Sequence, residues 1–130
     1  MSVLRFRLAP VLSKLEAALN APKSDLTRDS AILRFELAFE VSWKAIQKFA
    51  LAEGFEVNSP RQAFERAFQL GWIPDEVLWQ QVLLQRNASV RIYREPLAEV
   101  LYNQLRSFLD GFKELLKNLK EKRQAFRAVR

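Results

Sequence analysis

Apolar residues recur at every third or fourth position along most of this 130-residue chain, and that spacing leaves little besides α-helix open to it. The first series is Leu4, Leu8, Val11, Leu12, Leu15 and Leu19. The second is Ile32, Phe35, Phe39, Trp43, Ile46 and Ala50, and Leu33, Leu37 and Val41 widen it, so this helix is expected at the centre, covered on more than one side. The last and longest runs from Leu97 through Leu101, Leu105, Phe108 and Phe112 to Leu119, with Val100, Leu109, Leu115 and Leu116 beside it.

Punctuation divides the pattern. Pro10 starts or kinks the first helix. The polar stretch "NAPKSDLT" separates it from a second helix, expected from Thr27 or Arg28 to Glu53 and stopped by Gly54. "NSPRQAFERAFQLG" reads as a short helix, with Ser59 as N-cap, Pro60 in the first turn and Gly71 at its end. A fourth helix is expected from near Pro74 to somewhere between Arg91 and Tyr93, and Glu95-Pro96 opens the fifth. Four long helices and one short one, joined by short connections, predict an up-and-down antiparallel all-α bundle. Residues 1–130 read as one domain, with a basic tail from about 120 to 130.

Composition removes several functions. There is no cysteine and no histidine, so thiolate and imidazole metal sites, disulfides and the commonest general acid–base residue are excluded. No metal and no cofactor is expected, and no glycine-rich phosphate loop occurs. No apolar run reaches the roughly 18 residues of a membrane span. Arg5 and Arg7 interrupt the first helix too early for a secretory signal, which points to a cytoplasmic protein. The arginine bias and single methionine hint at a heat-adapted source. The net charge is +6, and nearly all of it sits beyond residue 112, where seven basic residues face Glu114 and Glu121. Such a run is either a solvated helix end, whose cations suit the dipole, or a surface for RNA or another polyanion.

Two groups of polar residues interrupt apolar faces. Glu36, Glu40 and Lys44 share one line of the second helix. They form either an exposed charge ladder or a set of carboxylates pointing into a groove. In "LLQRNASVRIYREP" the inward spacing of Trp79, Val82 and Leu83 continues to Arg86, Val90 and Tyr93. A guanidinium on an inward face needs a partner, and Glu36 or Glu40 could supply it. Arg86, Asn87, Arg91 and Tyr93 gather at one helix end. Guanidinium groups make planar, bidentate phosphate contacts, and a tyrosine can stack on a base or offer its hydroxyl. A structural Arg86 and a nucleotide or RNA phosphate site are both open at this point.

The set "RDSAILRFELAFEVSWKAIQ", Gly54, "SPRQAFERAFQLG", Trp79 and "RNASVRIY" resembles the nucleotidyltransferase substrate-binding protein family of the HEPN superfamily (higher eukaryote and prokaryote nucleotide-binding). The resemblance implies a HEPN-like bundle that forms a homodimer and binds a minimal nucleotidyltransferase. In toxin–antitoxin versions the bundle is a metal-independent ribonuclease, neutralised when its partner transfers adenylate to a tyrosine. The family motif R-x-x-x-x-H-x-Y, usually with Asn after the Arg, places Arg86, Asn87 and Tyr93 at the arginine, asparagine and modified tyrosine. Arg91 stands where the histidine would be.

That departure matters chemically. Arginine has a pKa above about 12 and cannot act as a base near neutrality, though it can hold a phosphate. Glu95 and the Glu36/Glu40 pair are the nearby alternatives for moving protons, and neither has the motif's position. The expected function is therefore a non-catalytic, dimeric subunit that binds a nucleotidyltransferase and a nucleotide or RNA phosphate. The alternatives are a ribonuclease toxin using Arg86, Asn87 and Arg91 and neutralised at Tyr93, and a structural dimer with a decayed site. The aromatic density of the chain, from Phe35 to Trp79, adds an argument for a dimer, because one thin bundle hides so many rings with difficulty.

Overall fold

The computed structural model describes the backbone of residues 7–91 and 95–129 and the side chains of 7–87 and 95–123. It contains α1 (Ala9–Asn20), α2 (Asp25–Ala52), α3 (Pro60–Gln69), α4 (Glu76–Arg91) and α5 (Glu95–Val129). No strand occurs among the described residues.

Local chemistry sets most boundaries. Pro10 lies in the first turn of α1, so it starts that helix rather than kinking it. α2 begins earlier than its apolar spacing suggests. Extended Ser24 is the N-cap, accepting from the Thr27 N–H at 3.1 Å, and the Thr27 hydroxyl accepts from the Ser24 N–H at 2.8 Å. Thr27 is thus the reciprocal partner of a capping box, not the first helical residue. α4 starts at Glu76, two residues past Pro74, because the Asp75 carboxylate accepts from the Leu78 N–H at 3.0 Å. Gly54 and Gly71 follow α2 and α3 with φ of +90° and +78°, the left-handed turn that closes a helix end.

The four longer helices run up and down. α1 is antiparallel to α5, since Lys113 reaches Glu16 and Arg106 reaches the Leu19 carbonyl and Asn20. α2 and α5 lie diagonally and parallel: Arg28 meets Glu95 and Glu99 at one end, and Glu53 meets Lys122 at the other. α4 returns antiparallel to α5, close enough that a Cβ at Gly111 would lie 2.6 Å from the Leu78 side chain. α4 touches α2 only lightly, whereas α3 packs against both of them.

Aromatic rings cross this core as a chain. Phe39 of α2 lies 5.6 Å from Phe64 of α3, which stacks on Trp79 of α4 at 4.8 Å. Trp79 meets Phe112 of α5 edge-on at 5.3 Å, and Phe112 and Phe108 both flank Phe35. Offset and edge-on contacts of this kind add to what area burial alone contributes.

Two expectations about apolar faces need correction. Phe35, Phe39, Phe64, Trp72 and Trp79 are buried within one chain, while Trp43 is half-buried and Phe68 is 38% exposed, so one bundle hides most of the aromatic set expected to need a dimer. The apolar side chains left outside are mostly aliphatic. Leu33 and Leu37 are 53% and 40% exposed, although the α2 stripe predicts them covered. Leu97 and Val100 are likewise exposed, although the α5 series runs inward there. The spacing marks these positions as apolar, but among the described residues no neighbouring helix packs closely enough to cover them.

Candidate functional site

The contact between α2 and α4 holds the polar group read from the sequence. Arg86 projects from α4, and its Nη2 donates to Glu40 Oε1 of α2 at 2.8 Å. The second carboxylate oxygen of Glu40 accepts from the Trp43 indole N–H at 3.2 Å. The Arg86 guanidinium carbon lies 5.2 Å from the Phe39 ring centroid, a cation–π contact that seats the cation on the aromatic core. Burial costs a guanidinium heavily unless it is paired, and the carboxylate and the ring supply that compensation.

The pair is not sealed. The side chains of Arg86 and Glu40 retain 24% and 39% of their exposure, so a solute can reach both. Glu36, one turn before Glu40, is half-buried on the same side of α2, and Asn87 is exposed beside Arg86. Arg91 is the last residue of α4; its side chain, and the whole of Tyr93, lie outside the described residues. Of the expected site residues, the fold therefore brings Arg86 and Glu40 into contact and places Glu36 and Asn87 next to them. Tyr102, the other tyrosine, is half-buried in α5 with the Lys23 ammonium 5.1 Å from its ring centroid.

Sequence reasoning missed the most heavily engaged cation. Arg28 is 2% exposed. It grips Glu95 with two hydrogen bonds, at 2.6 and 3.0 Å, and reaches Glu99 at 3.2 Å and Asp29 at 3.0 Å. Lys23 completes the group by pairing with the other oxygen of Glu99. Hydrogen bonds from Lys23 and then Arg28 hold the Glu99 carboxyl below the usual carboxylate range. A signal was available: Arg28, Ile32, Phe35 and Phe39 are spaced by four, three and four, so Arg28 extends the inward series by one turn.

The connection between α4 and α5 is consequently bracketed by two guanidinium–carboxylate pairs, both anchored on α2. Arg86–Glu40 lies before it and Arg28–Glu95 after it. Among the described residues no cluster of acidic groups has the arrangement of a metal site, and no helix is long and apolar enough to cross a membrane.

An up-and-down bundle with an ion-paired arginine in the open groove between two of its helices defines the molecule as an all-α bundle protein whose polar site lies between helices. The chain belongs to the nucleotidyltransferase substrate binding protein like family, whose model matches residues 5–121. It is also similar to a protein of Thermus thermophilus known from a crystal structure, at 31% identity and a TM-score of 0.80, over 86% of this chain and 98% of that one. Comparison with curated proteins gives no match.

Proposed function

We propose that this protein is a dimeric, HEPN-like substrate-binding subunit. It docks a minimal nucleotidyltransferase and presents to it either Tyr93 or a nucleotide or RNA phosphate held by Arg86, Asn87 and Arg91. The observation that carries this reading is the accessible Arg86–Glu40 pair in a chain of this family. A half-exposed carboxylate is an exchangeable counter-ion: a phosphate entering the groove displaces Glu40 and inherits a guanidinium already seated on Phe39. Exposed Leu33 and Leu37 on α2 and Leu84 on α4, the two helices that the pair joins, support a second copy as the cover of this face.

The ribonuclease reading is weaker on one specific ground. Cleavage needs a group to move protons, and the chain has no histidine. Glu95 is held by Arg28, and neither Glu40 nor Glu36 stands at the motif's histidine position, which Arg91 occupies.

The test is transfer. Incubated with a cognate minimal nucleotidyltransferase and α-labelled ATP, the protein should acquire one adenylate per chain, and Tyr93→Phe should abolish the label. Label that persists in the Tyr93→Phe protein overturns the assignment of the tyrosine. Absence of both complex and label overturns the partnership.

A further inference from the structure

The cations of α5 remain after the groove is accounted for. Lys113 is taken by Glu16 at 2.7 Å and Lys122 by Glu53 at 3.1 Å. Lys117 and Lys120 have no carboxylate partner among the described residues, although Glu114 and Glu121 share their helix. Lys113, Lys117 and Lys120 sit at i, i+4 and i+7, one face of a helix, spread over about 10 Å. Together with Leu116 and Glu121 they line a shallow depression of 330 Å³. The face lies on the α1 side of α5, since Lys113 bonds to α1, whereas Arg86 faces α2.

Two further facts bear on what this face is for. The family match ends at residue 121, yet α5 continues as helix to Val129. Residues 122–130 add four cations (Lys122, Arg123, Arg127 and Arg130) and no carboxylate. The charge is also polarised along the bundle: the opposite end holds Asp25, Asp29, Glu95 and Glu99 around Arg28 and Lys23.

We propose that the C-terminal half of α5 is a binding surface for an RNA phosphate backbone, separate from the Arg86 groove. Ammonium groups on one face of a rigid helix, with Lys117 and Lys120 free of a carboxylate partner among the described residues, suit a row of phosphates and read no base. An anionic membrane is the competing polyanion. A helix that lies in a membrane interface carries an apolar face beside its basic one. Here the exposed large apolar side chains among the described residues stop at Val100, and Leu116 is half-buried. Among its described residues the surface offers charge without an apolar anchor, which favours RNA.

The experiment uses the full chain and a fluorescein-labelled 20-nucleotide oligouridylate, read by anisotropy from 50 to 200 mM salt. With three or four phosphates engaged on a single strand, the wild type should lose roughly 20- to 50-fold in affinity over that range. Lys117→Glu/Lys120→Glu should weaken binding at least about tenfold at 50 mM and flatten the salt slope by about 1.4. Arg86→Ala should lower the affinity by less than Lys117→Glu/Lys120→Glu does and leave the salt slope nearer that of the wild type. Lys117→Gln/Lys120→Gln repeats the test should the charge reversal fail to fold. Unchanged affinity and slope in both double variants overturns the proposal. So does loss on Arg86→Ala alone, which would place the RNA in the groove. Binding to phosphatidylserine vesicles without binding to the oligonucleotide overturns it too.

Discussion

Arg28, in the first turn of α2, grips Glu95, the first residue of α5, through two hydrogen bonds of 2.6 and 3.0 Å across 67 residues of sequence. The guanidinium is buried while its carboxylate partners keep much of their exposure, so the two sides of the cluster respond differently to removal. Arg28→Ala leaves a hole and takes away the cation that Asp25, Asp29, Glu95 and Glu99 share. Removing one member of a buried pair costs about 3–5 kcal/mol, and the partners' access to water lowers that here to about 2–3 kcal/mol. Urea unfolding should show it. Arg28→Lys should recover only part, because an ammonium cannot make the two-pronged contact with Glu95.

The same cluster gives the protein an acid limit. Glu99 titrates lower in the folded chain than unfolded, so its contribution is fully present above the ordinary carboxylate value near 4.3. It is lost as pH falls through that value and on through the lowered native one. Melting temperature should therefore drop between about pH 5 and pH 3, and less steeply in Glu99→Gln, which has no charge left to lose. Equal slopes in the two proteins would show that the cluster does not govern acid sensitivity.

At the Arg86–Glu40 pair, stability and binding should separate. Both side chains are partly exposed, so Glu40→Ala should cost no more than about 1 kcal/mol. If a phosphate displaces Glu40, the same substitution removes its competitor, and affinity for AMP by calorimetry should rise several-fold. Arg86→Ala should lower it. A fall in both variants would make Glu40 part of the binding set rather than the counter-ion.

Arg91→His restores the family motif. General acid–base help is worth about 10²- to 10⁴-fold, so a gain of RNA cleavage of that order is expected if the rest of the site is competent, against little or none for the unaltered protein. Robust cleavage by the unaltered protein, lost on Arg86→Ala, would identify an enzyme rather than a binding subunit.

For assembly, light scattering at micromolar concentration should give the mass of two chains. Leu84, 59% exposed on α4, is the residue to challenge. A charge there meets only solvent in a monomer but is buried in a dimer sealed along α4. Leu84→Glu should therefore shift the mass toward one chain without changing the melt of the monomer.

The amino-acid sequence by itself determined the five helices, their order and the antiparallel run of neighbours. Spacing by threes and fours, Ser59 as a cap and Gly54 and Gly71 as stops are local instructions, executed within a few residues. It also singled out Arg86 and offered Glu36 or Glu40 as partner, because a cation on an apolar stripe demands one. Which carboxylate answers depended on the offset between α2 and α4, and the fold decided for Glu40. The same holds for Leu33 and Leu37: the stripe marks them as apolar, but only the arrangement of the helices decides that they stay exposed. Arg28 was legible as the next inward position of α2, yet its partners Glu95 and Glu99 lie on a helix 67 and 71 residues away. Helical periodicity records which side of each helix turns inward. It carries nothing about which helix stands opposite, or at what height, because side-chain packing sets those relations between segments distant in the chain.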